Sequence, residues 1–131
     1  MCWRMNMAKY NESAENYLET ILMLSKKLPV VRSVDIATEL GFKKSSVSVA
    51  MKNLKEKEHI TVTDAGFIYL TDSGRRIAEM IYERHEILTS CLKTLGVDAA
   101  VAEEDACKIE HVISEESFQA IKDHISKMKD R

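Results

Sequence analysis

A tight join limits the folds open to this chain. Between Ser33 and Lys57, two short amphipathic segments are separated by Gly41 and by Phe42 to Lys44 alone. The first begins at Ser33, a capping residue type with Asp35 in the first turn, and places Ile36, Ala37 and Leu40 on one face. It stops at Gly41, which tolerates the left-handed conformation that ends helices. The second runs from about Ser45 to Lys57, with Val47, Ala50, Met51 and Leu54 inward and Ser45, Ser48, Val49 and Lys52 outward. Two short helices around a glycine-containing turn predict a helix-turn-helix.

The flanks extend that pattern. Ala14, Tyr17, Leu18, Ile21, Leu22 and Leu24 keep helical spacing; Asn11 is placed to cap this first helix, and Lys26, Lys27 and Leu28-Pro29 close it. Ile60 to Thr63 and Phe67 to Thr71 are rich in β-formers, with Asp64-Ala65-Gly66 as turn chemistry between them, which predicts a hairpin and hence a winged helix. Thr71 then caps a long helix whose Ile77, Ile81, Leu88, Cys91, Leu92 and Leu95 form a stripe until Gly96. At ~1.5 Å per residue it would extend roughly 36 Å, more than the small module needs, so it carries the chain into a second part. Two further helices are expected, at 98–112 and 114–128 with Ser114 as cap. The expected fold is mainly α: a winged helix-turn-helix in residues 1–75, then a helical dimerisation domain in 76–131.

Composition supports this division. A chain of 131 residues, 45% hydrophobic, suffices for a small domain with an attached helical one. The net charge of −2 hides an asymmetry: residues 1–76 carry 12 Lys and Arg against 9 Asp and Glu (+3), and residues 77–131 carry 7 against 12 (−5). A basic front half suits a polyanion and an acidic rear half suits cations or another protein surface. No stretch approaches the roughly 20 apolar residues of a membrane span, and Met1 to Lys9 lacks a signal peptide's apolar region. Cys2, Cys91 and Cys107 are odd in number and far apart, which predicts reduced thiols rather than disulfides. These features predict a cytoplasmic protein with no membrane partner.

Lys43, Lys44, Lys52 and Lys55 fall in a stretch with no acid at all, the local excess that phosphate contact needs. Ser45, Ser46 and Ser48 can donate to phosphates or base edges, and the helix N-terminus adds backbone N–H groups aimed at an anion. Val49, apolar on an outward face, suits a thymine methyl in the major groove. Together these residues predict binding to double-stranded DNA. The wing residues Thr63, Asp64 and Ala65 carry little charge, so weak wing contacts are expected.

The acidic half carries a second constellation. Cys107, Glu110 and His111 stand at i, i+3 and i+4, a spacing that aims a thiol, a carboxylate and an imidazole at one point of a helical face. Taken alone, a buried cysteine and a surface Glu-His pair account for such a string better than a metal site does. Glu103 lies one turn earlier on the same face, Glu104 and Asp105 deepen the negative potential, and His85 interrupts the long helix. Asn16 and Glu19 share a face of the first helix and are further candidates for oxygen ligands.

With these residues in view, the chain resembles the diphtheria toxin repressor and manganese transport regulator family of metal-dependent bacterial repressors. The likeness covers nearly the whole chain: Ser13 to Leu24, Val34 to Leu54, Leu70 to Ala78 with Thr71 and Gly74, the Arg84-His85 step, and Glu104 to Cys107 through Ile109 to His111. It implies a homodimer on a palindromic operator near metal-uptake genes, in the two-domain form without the SH3-like domain of longer members. It assigns Cys107, Glu110 and His111 to the metal site, with His85 given by the long helix, and Glu19 to the place of a carboxylate ligand in manganese-type members. Asn16 stands where the family has Asp or Met, a poorer ligand that weakens the expected link to the DNA-binding domain, with Glu12 and Glu15 as substitutes. Thr89 stands where iron-type members have a carboxylate, with Glu103 as a partial replacement.

A thiolate among imidazole and carboxylates tilts a site toward Fe²⁺, Co²⁺, Ni²⁺ or Zn²⁺, and Fe²⁺ is the expected effector. Mn²⁺ is the alternative if Glu19, Glu103, Glu110 and His111 build an oxygen-rich site without Cys107. Two rival functions are a thiol sensor acting through Cys107 or Cys91, and a metalloenzyme with Glu110 or Glu103 as base. No phosphate loop, nucleophile elbow or His-Glu-x-x-His string is present, so the expectation is a regulator and not an enzyme.

Overall fold

A computed structural model of the chain describes residues 14–129. Six helices and one hairpin make up the described part: α1 (Ala14–Lys27), α2 (Ser33–Leu40), α3 (Lys44–Glu56), β1 (Ile60–Val62), β2 (Ile68–Leu70), α4 (Asp72–Thr94), α5 (Ala99–Ile109) and α6 (Glu115–Lys129). They divide into two compact units, 14–80 and 81–129, the boundary falling within α4.

In the first unit α1 is the central helix. Tyr17, Leu18, Ile21, Leu22 and Leu24 are buried against α2, α3 and β2, whereas Ala14, counted with them from the spacing, is exposed. Ile36, Ala37 and Leu40 of α2 and Val47, Met51 and Leu54 of α3 complete the core. The strands pair antiparallel with Ile60 opposite Leu70 and Val62 opposite Ile68, and Val31 bridges Ile68 from the other side. Gly66 turns the hairpin at φ 86°, where other residues are strained, and Thr63 and Phe67 exchange bonds that shorten both strands relative to expectation. Ser33 is not the cap of α2. It is the first helical residue; Arg32 is extended, and the Asp35 carboxylate reaches back to accept from the Arg32 N–H at 2.9 Å. The Asn11 cap lies outside the described residues.

Thr71 caps α4 as expected, its hydroxyl accepting from the Gly74 N–H at 3.3 Å and donating to the Glu58 carbonyl at 2.7 Å. Gly74 is buried directly against the His59 carbonyl, where a Cβ would overlap the backbone oxygen. Gly74→Ala is therefore expected to lower stability by about 1–3 kcal/mol through overpacking. An unchanged urea midpoint for that variant would contradict this reading of the junction.

In the second unit Ile81, Leu88, Ala102, Ala106, Cys107 and Phe118 are buried. The stripe on α4 breaks at Leu95, which is 75% exposed next to the terminating Gly96, while the polar Arg84 and His85 face inward. α5 starts after Asp98, whose carboxylate accepts from the Ala100 N–H, but ends at Ile109 rather than 112. Glu110 and His111 leave it in a turn, with Val112 and Ile113 both donating to the Ile109 carbonyl. Ser114 then caps α6 by accepting from the Ser117 N–H at 3.1 Å. Among the described residues no helix is long and apolar enough to cross a membrane.

Candidate metal centre and nucleic-acid interface

Within the second unit, α4 and the end of α5 bring two acids and two imidazoles together. Glu110, with no exposed surface, accepts at Oε2 from His85 Nδ1 at 2.9 Å and faces His111 Nε2 with Oε1 at 3.3 Å. His85 is itself 6% exposed, and its Nε2 lies 3.9 Å from Glu103 Oε1, which is half exposed. A carboxylate stripped of water is costly unless compensated; His85 hydrogen-bonds one oxygen, while Glu110 Oε1 has no hydrogen-bond partner among the described residues and leaves an acceptor open beside His111. Two ring nitrogens with two carboxylates suit a divalent first-row metal. No three His, Cys, Asp or Glu side chains among the described residues converge on a common metal position. In chemistry the imidazoles and carboxylates of this set fit a divalent cation, which would supply positive charge beside the buried Glu110 carboxylate.

The other expected ligands are placed as follows. Cys107 is buried in the last turn of α5, before the turn that carries Glu110 and His111. Asn16 and Glu19 belong to the first unit, both fully buried on α1, with the Thr20 hydroxyl donating to the Asn16 carbonyl. Glu15 is half-buried on the same helix, and Glu12 and Cys2 lie outside the described residues. Thr89, on α4, is half-buried, and its hydroxyl meets no hydrogen-bonding partner among the described residues.

In the first unit α3 presents the basic face. Lys43, Lys44, Ser45, Ser48, Val49 and Lys52 are exposed, Val49 at 61%, and Ser46 is half-buried. No side chain caps the first turn, which contains no acid, so the partial positive charge of the helix end is not offset. An open groove of about 440 Å³ runs beside this face between α1 and α3, lined by residues including Tyr17, Ser46, Val49 and Asn53.

Two residues escaped the reading of the sequence. The Arg32 guanidinium lies 4.9 Å from the centroid of Phe67 and so brings a cation to a wing that is itself nearly uncharged. The buried Arg84 binds the turn after α5. Its only signal was its place in the Arg84-His85 step, to which no role was given.

Comparison with known proteins finds two matching family models: residues 9–65 match the iron dependent repressor N-terminal DNA binding domain, and residues 71–131 its metal binding and dimerisation domain. The chain is 32% identical over 115 residues to the transcriptional regulator MntR of Escherichia coli O6:H1, covering 88% of this chain and 74% of that protein. An uncharacterized HTH-type transcriptional regulator of Methanocaldococcus jannaschii is 31% identical over 123 residues, covering 92% and 98%. Among solved structures, a manganese-dependent transcriptional repressor in complex with manganese superposes with a TM-score of 0.80 at 27% identity, covering 87% of this chain. This chain spans 53% of the length of that repressor.

Proposed function

The chain belongs to the iron-dependent repressor family, and on that premise we propose that it is a cytoplasmic transcriptional repressor that binds operator DNA as a homodimer when loaded with a divalent metal. The observation that carries this reading is the Glu110 carboxylate, fully buried between His85 and His111 in one unit, in a chain whose other unit bears an uncapped basic helix. The proposed ligands in the second unit are His85, Glu110 and His111, with Glu103 at the exposed edge; Glu19 of α1 is the further carboxylate that the family resemblance suggests. A bound cation would supply the positive charge that neutralises the buried carboxylate. His85, Glu110 and His111 would set its position. Metal binding and DNA binding then raise one another's affinity by the same factor.

In the proposed complex Lys43, Lys44 and Lys52 engage phosphates, Ser45, Ser46 and Ser48 donate at the groove edge, and Val49 meets a thymine methyl. A palindromic operator requires two α3 helices about 34 Å apart, or a multiple of that. Leu95, Val101, Val112 and Met128, all exposed apolar residues of the second unit, support self-association there.

The case for Fe²⁺ rested on Cys107 as ligand. The solved repressor on which this chain superposes is described with manganese, and that favours the oxygen-rich alternative without Cys107. We therefore place Mn²⁺ first and Fe²⁺ second, with Co²⁺, Ni²⁺ and Zn²⁺ as weaker candidates. Titration of operator binding, using DNA selected from a random pool, with Mn²⁺, Fe²⁺, Co²⁺ and Zn²⁺ tests this. Wild type and Cys107→Ala are expected to share one Mn²⁺ midpoint within about twofold, since no ligand is lost. Operator binding indifferent to every metal would sink the repressor reading, and a large loss in Cys107→Ala would restore sulfur to the site.

A further inference from the structure

Arg84 stands one residue before His85 on α4, yet its guanidinium binds the segment that follows α5. Its Nη1 donates to the carbonyls of Glu110 and Ile113, each at 3.1 Å, and its Nη2 pairs with Glu115 Oε2 at 2.8 Å. The guanidinium carbon lies 5.3 Å from the centroid of the buried Phe118 ring. Only 8% of the residue is exposed, so this charge is held by the contacts named and not by water. One anchored carbonyl belongs to Glu110 itself, and together the two bracket His111, so both residues at which the chain leaves its helix are held.

A helix that stops without Gly or Pro leaves carbonyls in need of donors. The planar fork of arginine meets two carbonyls and a carboxylate at once, and its charge opposes the negative end of α5. A lysine ammonium in the same space is a point charge without that fork. We propose that Arg84 is a positioning residue for the metal centre: it clamps the turn after α5 so that Glu110 and His111 face His85. The inference rests on the reading of this cluster as the metal site, and it gives consecutive residues of α4 separate tasks, Arg84 holding the turn and His85 donating to the site.

Amide hydrogen exchange on the metal-free full chain and Co²⁺ titration followed by its visible absorption bands test the clamp together. Arg84→Ala and Arg84→Lys are expected to speed exchange of the Val112 and Ile113 amides about tenfold or more, with Ile81 to Leu88 of α4 unchanged. Co²⁺ affinity should fall between about 10- and 100-fold, the usual cost of losing a group that orients ligands, and the bands at saturation should shift. Glu115→Gln changes a side chain that is 70% exposed and so leaves folding intact, and it should move both readouts in the same direction by a smaller factor. Wild-type exchange and wild-type Co²⁺ affinity in Arg84→Lys and Glu115→Gln would overturn the clamp. Accelerated exchange in variants of a wild type that takes up no Co²⁺ would instead overturn the metal reading, with the hold of Arg84 on the turn established.

Discussion

Glu110→Gln is expected to abolish the metal response of operator binding while leaving the fold in place. The carboxylate has no exposed surface and meets both His85 and His111, so its loss removes a proposed ligand and the group that orients two others. Losing an orienting partner alone costs about 10- to 100-fold in metal affinity, and Glu110→Gln should exceed about 100-fold. Glutamine keeps the volume and an acceptor oxygen for His85, which guards against the larger damage of Glu110→Ala. That truncation leaves two enclosed imidazoles without their carboxylate and should cost up to about 3–5 kcal/mol, the range for breaking a buried pair. The readings are Mn²⁺ calorimetry and fluorescence anisotropy on labelled operator, with thermal unfolding as the control for fold. Retention of the wild-type Mn²⁺ midpoint by Glu110→Gln would remove this cluster from the metal centre.

Joint replacement of Lys43 and Lys44 by alanine should act on DNA binding alone. Both are exposed at the start of α3, where no side chain caps the helix and no acid lies in the first turn. Each phosphate contact releases counterions and adds about 0.9 to the slope of log affinity against log salt. Two lost contacts reduce that slope by roughly 1.8, which at 0.1 M salt is a loss on the order of 60-fold from counterion release alone. The loss should be uniform across operator variants, since phosphates carry no sequence information, whereas Val49→Ser should weaken binding mainly at sites with thymine under α3. Mn²⁺ affinity in the absence of DNA should not change. A salt slope equal to that of wild type would mean that these lysines face solvent and that another surface carries the phosphates.

What could be read from residues alone was whatever is encoded within a turn or two of helix. Gly41 and the spacing around it specify α2 and α3, because a left-handed residue and a 3.6-residue period are local properties. Thr71 and Ser114 cap their helices for the same reason. The misplacements are equally physical. Ser33 lost the cap of α2 to the longer reach of Asp35, and α5 ends at Ile109 although no helix-breaking residue stands there. The fork of a distant arginine meets the carbonyls of the turn instead. Leu95 kept the stripe's period but not its burial, since Gly96 ends the helix beside it.

The metal cluster shows where local reading stops. Cys107, Glu110 and His111 shared a face only if one helix ran through all three, and the helix ends between the first and the others. One oxygen of the Glu110 carboxylate is bonded by His85, 25 residues away in sequence, and no periodicity announces that pairing. The sequence by itself determined the order of helices and hairpin, the basic reading face and the acidic second half, because propensity, capping and charge act over a few residues. Tertiary structure alone decided which acid is buried, which imidazoles compensate it and which arginine holds the turn beneath it, because a charge removed from water must find its partners wherever packing brings them.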